Sequence, residues 1–329
     1  MRFSIVTPAY NVAQHLREML DSVRRQSLYD WELRIVDDGS TDDTRKIIEA
    51  AAIDDPRIKP LFLDENSGSC FFPRRVAIER SEGDYIVNID ADDIVDKDYL
   101  YILETKIRET GADLVYADMY RFEEDKQPVK IIPRETYDTQ TFSGKSIFNK
   151  TLDKWMVSGV GATNHSLALT SLQLYDYEFS LERYWGAFHN EVLTRLDLYL
   201  ADKVAFAPAL YLSRQYPQAL TQEINQSNFE LIEADENLCL FTLKYFGMES
   251  KEYTLANLQL FNHLIKLIRL LNQFPSFNED HNRVYIIKKA LSKIDYKVLQ
   301  NIVPKNFIRV MQMGYFCAKK FFLVYYGKN

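Results

Sequence analysis

The sequence predicts an α/β fold in which a mostly parallel sheet is flanked by helices and followed by a helical C-terminal region. Short β-rich runs alternate with helical periodicity from Met1 to about Ala117, polar clusters follow the strands, and helical periodicity prevails from Phe229 onward. Regular alternation of strand and helix is typical of a parallel sheet with helices on both faces. Ligands bind beyond the carboxyl ends of the strands in such sheets, so the polar clusters there form the candidate site.

Each predicted element has a local signal. Four β-rich runs predict strands at Phe3–Thr7, Glu32–Val36, Ile58–Leu63 and Tyr85–Ile89. Apolar residues at helical spacing predict a helix after the first strand, through Val12, Leu16, Met19, Leu20 and Val23. Two further helices are predicted, at Asp42–Ala52 and from about Pro73. A long C-terminal helix is expected to bury one side formed by Leu255, Leu258, Phe261, Ile265, Ile268 and Leu271.

Composition and charge describe a folded protein with an uneven charge distribution. The chain has 329 residues, 47% of them hydrophobic, which is enough for one large domain or two modest ones. The formal net charge is -7, yet the stretch from His281 to Asn329 carries ten lysines and arginines against one acid, Asp295. Nucleic-acid binding is disfavoured because the remainder of the chain is acidic.

Cysteine usage and the N-terminus indicate a cytoplasmic protein. Three cysteines, Cys70, Cys239 and Cys317, lie far apart and show neither a metal-binding spacing nor a disulfide framework. The N-terminus lacks the pattern of a signal peptide, and no window reaches the roughly 18 apolar residues of a membrane span. We therefore expect any membrane contact to be peripheral.

Two acidic clusters follow predicted strands. Asp90-Ala91-Asp92-Asp93 suits Mg²⁺ or Mn²⁺, which bind through one or two carboxylates and share other positions with water and phosphates. The alternative is a solvated loop in which Asp93 or Asp96 caps a helix. Asp37-Asp38-Gly39-Ser40 contains either a carboxylate that accepts the imide N–H of uracil or thymine, or only a turn with Gly39 at positive φ.

Taken together, the segments PAYN, VDDGSTD, SGS with a following RR, and NIDADD resemble the family 2 glycosyltransferases of the GT-A fold. The resemblance implies that the first strand ends in residues that pack on the nucleotide, namely Thr7, Pro8, Ala9 and Tyr10. It implies that Asp38 holds the base and that Arg74 faces the donor. The D-x-D motif corresponds to Asp90, Ala91 and Asp92, with Asp92 and Asp90 as ligands of Mn²⁺ or Mg²⁺.

The resemblance also implies an activity and a general base. We expect an inverting transferase of the hexosyl or N-acetylhexosaminyl type that uses a nucleotide sugar, such as a UDP-sugar. Glu191 is the expected base, although Asn190 stands where the family usually has a first acid, and an exposed helix glutamate is the alternative. Arg75 replaces a usual asparagine; it could favour an acidic sugar or face solvent. The family's Y-x-x-R-Q piece corresponds to residues 211–215.

These expectations divide the chain into a GT-A domain at residues 1–220 and a helical region at 221–329. Residues 1–117 would bind the nucleotide sugar, and residues 118–220 would form the acceptor side. The expected acceptor is a glycan or a lipid-linked oligosaccharide. From Pro304 onward a basic amphipathic helix is predicted, which could lie on an anionic membrane or pack on its own domain.

Two residue roles and two alternative functions stay open at this point. His165 could contact a ligand or be structural, and Trp155 could stack on a sugar ring or pack in the core. A nucleotidyltransferase is the rival enzyme, but its glycine-rich phosphate loop is replaced here by Pro8-Ala9-Tyr10-Asn11. An inactive subunit of an assembly complex is the non-enzymatic alternative.

Overall fold

The structure is a computed structural model of the 329-residue chain. It describes residues 1–122, 127–131, 140–153, 155, 157–179, 189–215, 226–273, 281–300, 302–303 and 308. The chain divides into two compact units, Met1–Thr221 and Gln222–Asn329.

The first unit begins with a parallel half-sheet. Its strands are β1 (Phe3–Ala9), β2 (Trp31–Asp37), β3 (Ile58–Phe62) and β4 (Tyr85–Asn88), in the spatial order β3-β2-β1-β4. The connecting helices are α1 (Ala13–Arg24), α2 (Thr44–Asp54) and α3 (Phe71–Glu79). The predicted strands and helices of this region are confirmed, with ends shifted by one or two residues.

The second half of the sheet is mixed. It is built from β5 (Ile94–Val95), α4 (Tyr99–Thr110), β6 (Leu114–Phe122), β7 (Val129–Lys130), α5 (Gly144–Asp153), β8 (Gly161–Asn164), α6 (His165–Phe179), α7 (His189–Leu200) and β9 (Val204–Arg214). The order continues as β4-β8-β6-β9-β5, with β7 paired to β6. Strand β8 runs antiparallel to both of its neighbours, whereas β6 and β9 are parallel.

Helices cover both faces of the sheet, as predicted. Phe3 and Ile5 of β1 point into a core that also contains Leu16 of α1 and Leu103 of α4. Helix α3 packs on β1 and β2, and its buried Phe71 is not part of that core. Helix α3 therefore covers the opposite face of the sheet. The loops that follow the strands lie at the edge of the sheet, between the two helical layers.

The second unit is helical, as predicted, with α8 (Gln226–Phe246), α9 (Lys251–Gln273), α10 (His281–Lys293) and α11 (Tyr296–Leu299) in the described residues. The predicted buried stripe of α9 was partly wrong. Among its described side chains, the buried apolar residues are Tyr253, Ala256, Leu260, Phe261, Leu264, Leu267 and Ile268. The side chain of Leu271, which the predicted stripe includes, lies outside the described residues. Leu255, Leu258 and Ile265 are only partly buried. Leucines and isoleucines occupy several faces of this helix, so spacing alone did not identify the one that packs.

The predicted basic helix from Pro304 lies outside the described residues, apart from Ile308. Across the ranges that the structure describes, no helix combines the length and apolar character needed to cross a bilayer.

Candidate active site

The carboxyl ends of β1, β2 and β4 meet at one edge of the sheet. Ala9 pairs with Asp37, and the backbone N–H of Asp38 donates to the carbonyl of Ala9 at 2.8 Å. The N–H of Ile89, which follows β4, donates to the carbonyl of Val6 on β1 at 3.2 Å. The parallel register therefore brings the loop after β1 and both acidic clusters to the same edge.

Asn11 joins the loop after β1 to the loop after β2. It adopts a positive φ of 49°, a conformation that asparagine tolerates better than most residues. Its side-chain oxygen accepts from the backbone N–H of Thr41 at 2.8 Å, and its own N–H donates to the hydroxyl of Ser40 at 3.0 Å. The sequence analysis did not assign this role to Asn11.

The four residues predicted to pack on a nucleotide differ in their exposure. Thr7 and Ala9 are buried within β1, and Pro8 is partly buried. The Tyr10 side chain is 48% exposed at the end of the strand. Of these residues, Tyr10 presents the most surface to a ligand.

Asp38 is buried and positions the loop after β3. One carboxylate oxygen accepts from the Asn66 amide at 3.0 Å and the Ser67 hydroxyl at 2.9 Å, and the other accepts from the Ser67 backbone N–H at 3.1 Å. A carboxylate has about four acceptor positions, so one remains for a ligand N–H. Gly39 has a positive φ of 69°, and a Cβ there would lie 2.7 Å from the backbone nitrogen of Asn66. The turn with Gly39 at positive φ is therefore confirmed, and Asp38 is held in place by contacts within the protein.

The three carboxylates of the second cluster have different environments. The Asp90 side chain is 52% exposed and forms an ion pair with the buried Arg74. Asp92 is partly buried, and Asp93 is buried. Burial, together with the charge of Asp90, raises the pKa of Asp93 to about 7, although hydrogen bonds oppose this. Asp93 therefore supports the turn from inside, while Asp90 faces outward.

Strand β9 holds this turn in place. The Tyr211 hydroxyl accepts from the backbone N–H of Asp90 at 3.0 Å and donates to Asp93 at 2.7 Å. The Arg214 backbone N–H donates to the other oxygen of Asp93 at 2.7 Å, and its Nε donates to the carbonyl of Asp92 at 3.0 Å. Asp93 thus binds β9. The alternative interpretation, in which Asp93 caps a helix, is therefore wrong for this residue.

Asp90 and Asp92 are the carboxylates of this turn that a divalent cation could reach, if the substrate supplies its remaining ligands. Within the described part of the chain, no three histidine, cysteine or acidic side chains converge as a preformed metal site. Magnesium-type cations need only one or two protein carboxylates when phosphates and water supply the other ligands. Asp90, which is half exposed and paired with Arg74, and Asp92, which is partly buried, are the residues of this turn that could hold such a cation.

Glu191 lies in the first turn of α7 and forms an ion pair with Arg195. The carboxylate oxygen and guanidinium nitrogen are 2.7 Å apart, and Arg195 is buried. The guanidinium carbon of Arg195 lies 4.9 Å from the centre of the Trp155 ring, which is 36% exposed. Glu191 is therefore held in a fixed orientation beside a partly exposed aromatic ring. The side chain of Asn190 lies outside the described residues.

Two open features are resolved by geometry. Arg75 forms a two-pronged ion pair with Asp176 and also binds Glu79, so its charge is already compensated within the protein. The imidazole Nδ1 of His165 lies 3.0 Å from the carbonyl of Gly83, before the start of β4. His165 is therefore at the opposite edge of the sheet from the acidic clusters and has a structural environment.

Comparison with known proteins agrees with this geometry. The family described as "Glycosyl transferase family 2" matches residues 4–164. The chain is 26% identical over 281 residues to "Glycosyltransferase GlyG" of Streptococcus pneumoniae, covering 84% of this chain and 89% of that protein. It is 42% identical over 97 residues to the "Putative teichuronic acid biosynthesis glycosyltransferase TuaG" of Bacillus subtilis, covering 30% of this chain and 38% of that protein.

A solved structure shares the fold. It is that of Staphylococcus aureus TarS 1-349 in complex with UDP, with a TM-score of 0.65 and 18% sequence identity. The match covers 97% of this chain and 88% of that chain. A further structure, of the same protein in complex with UDP-GlcNAc, matches with a TM-score of 0.64 and 18% identity.

Proposed function

We propose that this chain, which is a member of glycosyl transferase family 2, transfers a sugar with inversion from a UDP-sugar to a hydroxyl group of a glycan or lipid-linked acceptor. The observation that carries the proposal is the meeting of Asp38, Arg74 and the Asp90–Asp93 turn at one edge of the sheet. The relatives named as glycosyltransferases and the UDP-bound TarS structure favour the same class of donor.

In this proposal each donor-side residue has one task. Asp38 keeps an acceptor position for the imide N–H of uracil, and Tyr10 offers its exposed ring to the nucleotide. The positive charge of Arg74, which is buried behind Asp90, favours the diphosphate. Asp92 and Asp90 would hold Mn²⁺ or Mg²⁺, whose charge would offset that of the leaving diphosphate.

Glu191 is the proposed general base. It would take the proton from the acceptor hydroxyl while that oxygen bonds to the anomeric carbon and the bond from this carbon to the diphosphate breaks. Attack from the opposite face inverts the anomeric centre, so an α-linked donor gives a β-glycoside. The ion pair with Arg195 would fix the direction of the carboxylate.

The test is Glu191→Gln, which keeps the side-chain volume and removes the proton-accepting charge. Turnover should fall by roughly 10²- to 10⁴-fold, the contribution of a positioned base, while UDP binding stays normal. Asn190→Ala is the neighbouring control, and its turnover should change far less. Normal turnover in Glu191→Gln with a lowered melting temperature would leave Glu191 only as the partner of Arg195 and would refute the assignment.

A further inference from the structure

A small polar pocket opens near the end of β4, at the edge of the sheet that carries the acidic clusters. Strand β4 contributes Asn88 to its wall, β8 contributes Gly161 and Thr163, and α7 contributes Thr194 and Asp197. Its volume of about 20 Å³ is room for one water molecule or one hydroxyl group. The pocket is therefore too small for a sugar ring but suits a single group projecting from one.

Among the residues that the structure describes, two acceptor atoms in this wall have no hydrogen-bond partner. They are the side-chain oxygen Oδ1 of Asn88 and the carboxyl oxygen Oδ1 of Asp197, both of them buried. A buried acceptor without a partner costs about 1 to 3 kcal/mol. Either atom could accept a hydrogen bond from a ligand group that enters the pocket.

The pocket lies between the two halves of the proposed catalytic site. Asn88 ends β4, two residues before Asp90. Thr194 follows Glu191 by three residues, so the two side chains lie on the same face of α7. A group bound in the pocket therefore lies at the end of the strand that leads to Asp90, and about one helical turn from the proposed base.

Burying the ionisable carboxyl group of Asp197 costs free energy that a purely structural role would not require. Burial raises its pKa to about 7, although the neighbouring Ser171 hydroxyl opposes this shift. Its ionised form is thus disfavoured by the fold, and an asparagine of the same shape would avoid this cost. Titratable groups kept at such a cost concentrate at functional sites.

We propose that this pocket receives one hydroxyl group of the carbohydrate substrate, which donates its single hydrogen to Oδ1 of Asp197. The inference rests on the proposed function, because it assigns the pocket to that substrate. The hydroxyl belongs either to the transferred sugar or to the acceptor sugar, and the two sources have different signatures in binding.

The test is Asp197→Leu, which removes both carboxyl oxygens at a similar side-chain size, with binding of UDP, UDP-glucose and UDP-GlcNAc measured by calorimetry in the presence of Mn²⁺. If the donor sugar supplies the hydroxyl, the affinity for both UDP-sugars should fall about tenfold and that for UDP should not change. If the acceptor supplies it, these affinities should stay constant and KM for the acceptor should rise about tenfold. In both cases the melting temperature should be unchanged or higher, because a buried charge has been removed.

Asp202→Leu is the matched control, since it makes the same substitution at an exposed position close by and should alter none of these values. Thr163→Val tests the pocket without touching a charge, and it should reproduce the loss of affinity. The proposal is overturned if both pocket variants leave UDP-sugar affinity and acceptor KM unchanged. Failure of the unaltered protein to bind UDP at all would instead refute the proposed function.

Discussion

Replacement of Glu32, at the edge of the sheet opposite the active site, should destabilise the first unit. Its side chain is fully buried and accepts from the Ser4 hydroxyl and the Glu82 backbone N–H, both at 2.7 Å. It also pairs with Arg34 and Lys59, both at 2.9 Å. Burial alone would raise the pKa of Glu32, but these partners lower it from 4.5 to about 2.

The size of the effect follows from this pKa. The pKa of Glu32 falls from 4.5, its ordinary value, to about 2 in the folded protein. At about 1.4 kcal/mol for each pKa unit, this difference corresponds to roughly 3 kcal/mol of stability. Because the pKa of Glu32 is depressed in the folded state, this stability is present above pH 4.5 and is lost as the pH falls through 2. Glu32→Gln should remove it at pH 7, and the difference between the proteins should shrink below pH 4.5.

The assay is urea unfolding of the first unit, followed by tryptophan fluorescence between pH 7 and pH 3. Glu82→Gln is the matched control because Glu82 binds the same Arg34 and Lys59 from an exposed position, where ion pairs contribute little. It should change stability far less than Glu32→Gln. A difference below about 1 kcal/mol for Glu32→Gln at pH 7, or one that stays constant between pH 7 and 3, would refute the reasoning.

Two further predictions concern the active site and the C-terminus. Tyr211→Phe removes the hydroxyl that links Asp90 to Asp93 and should weaken binding of UDP with Mn²⁺ about tenfold. Tyr99→Phe removes a buried hydroxyl that has no hydrogen-bond partner among the described residues, and it should leave this affinity unchanged. Equal affinities of the two variants in calorimetry would contradict this. Replacing the lysines and arginines of residues 304–329 by glutamate should abolish sedimentation with anionic liposomes at low salt and leave UDP binding intact. Absence of liposome binding by the unaltered protein would exclude the membrane role.

The parallel half of the sheet and its acidic loops were predictable because their signals are local. Strands β1 to β4 combine clear β-rich runs with turn residues such as Gly39, and parallel topology then brings their ends together. The topology of residues 141–217 was not predictable. Strand β8 has only four residues, Gly161–Asn164, without apolar alternation, so its antiparallel place beside β4 left no trace in the sequence.

The support of the active site depends on long-range contacts that spacing does not reveal. Tyr211 and Arg214 bind the Asp90–Asp93 turn from about 120 residues away in sequence, and Asn11 bridges a gap of 30 residues to Thr41. The ion pair of Glu191 with Arg195, by contrast, is a local contact. Its i,i+4 spacing on a helix is readable from sequence and would have indicated that Glu191 has a partner.

The most direct test of the account is calorimetric titration of UDP into the protein with Mn²⁺ and with EDTA, alongside Asp92→Asn. The proposed site brings the diphosphate close to Asp90 and Asp92, so binding in EDTA should be weaker by about tenfold or more, because these negative charges repel. Asp92→Asn with Mn²⁺ should bind as weakly as the unaltered protein in EDTA. Equal affinity in Mn²⁺ and EDTA, with Asp92→Asn indistinguishable from both, would contradict the proposed metal-assisted donor site.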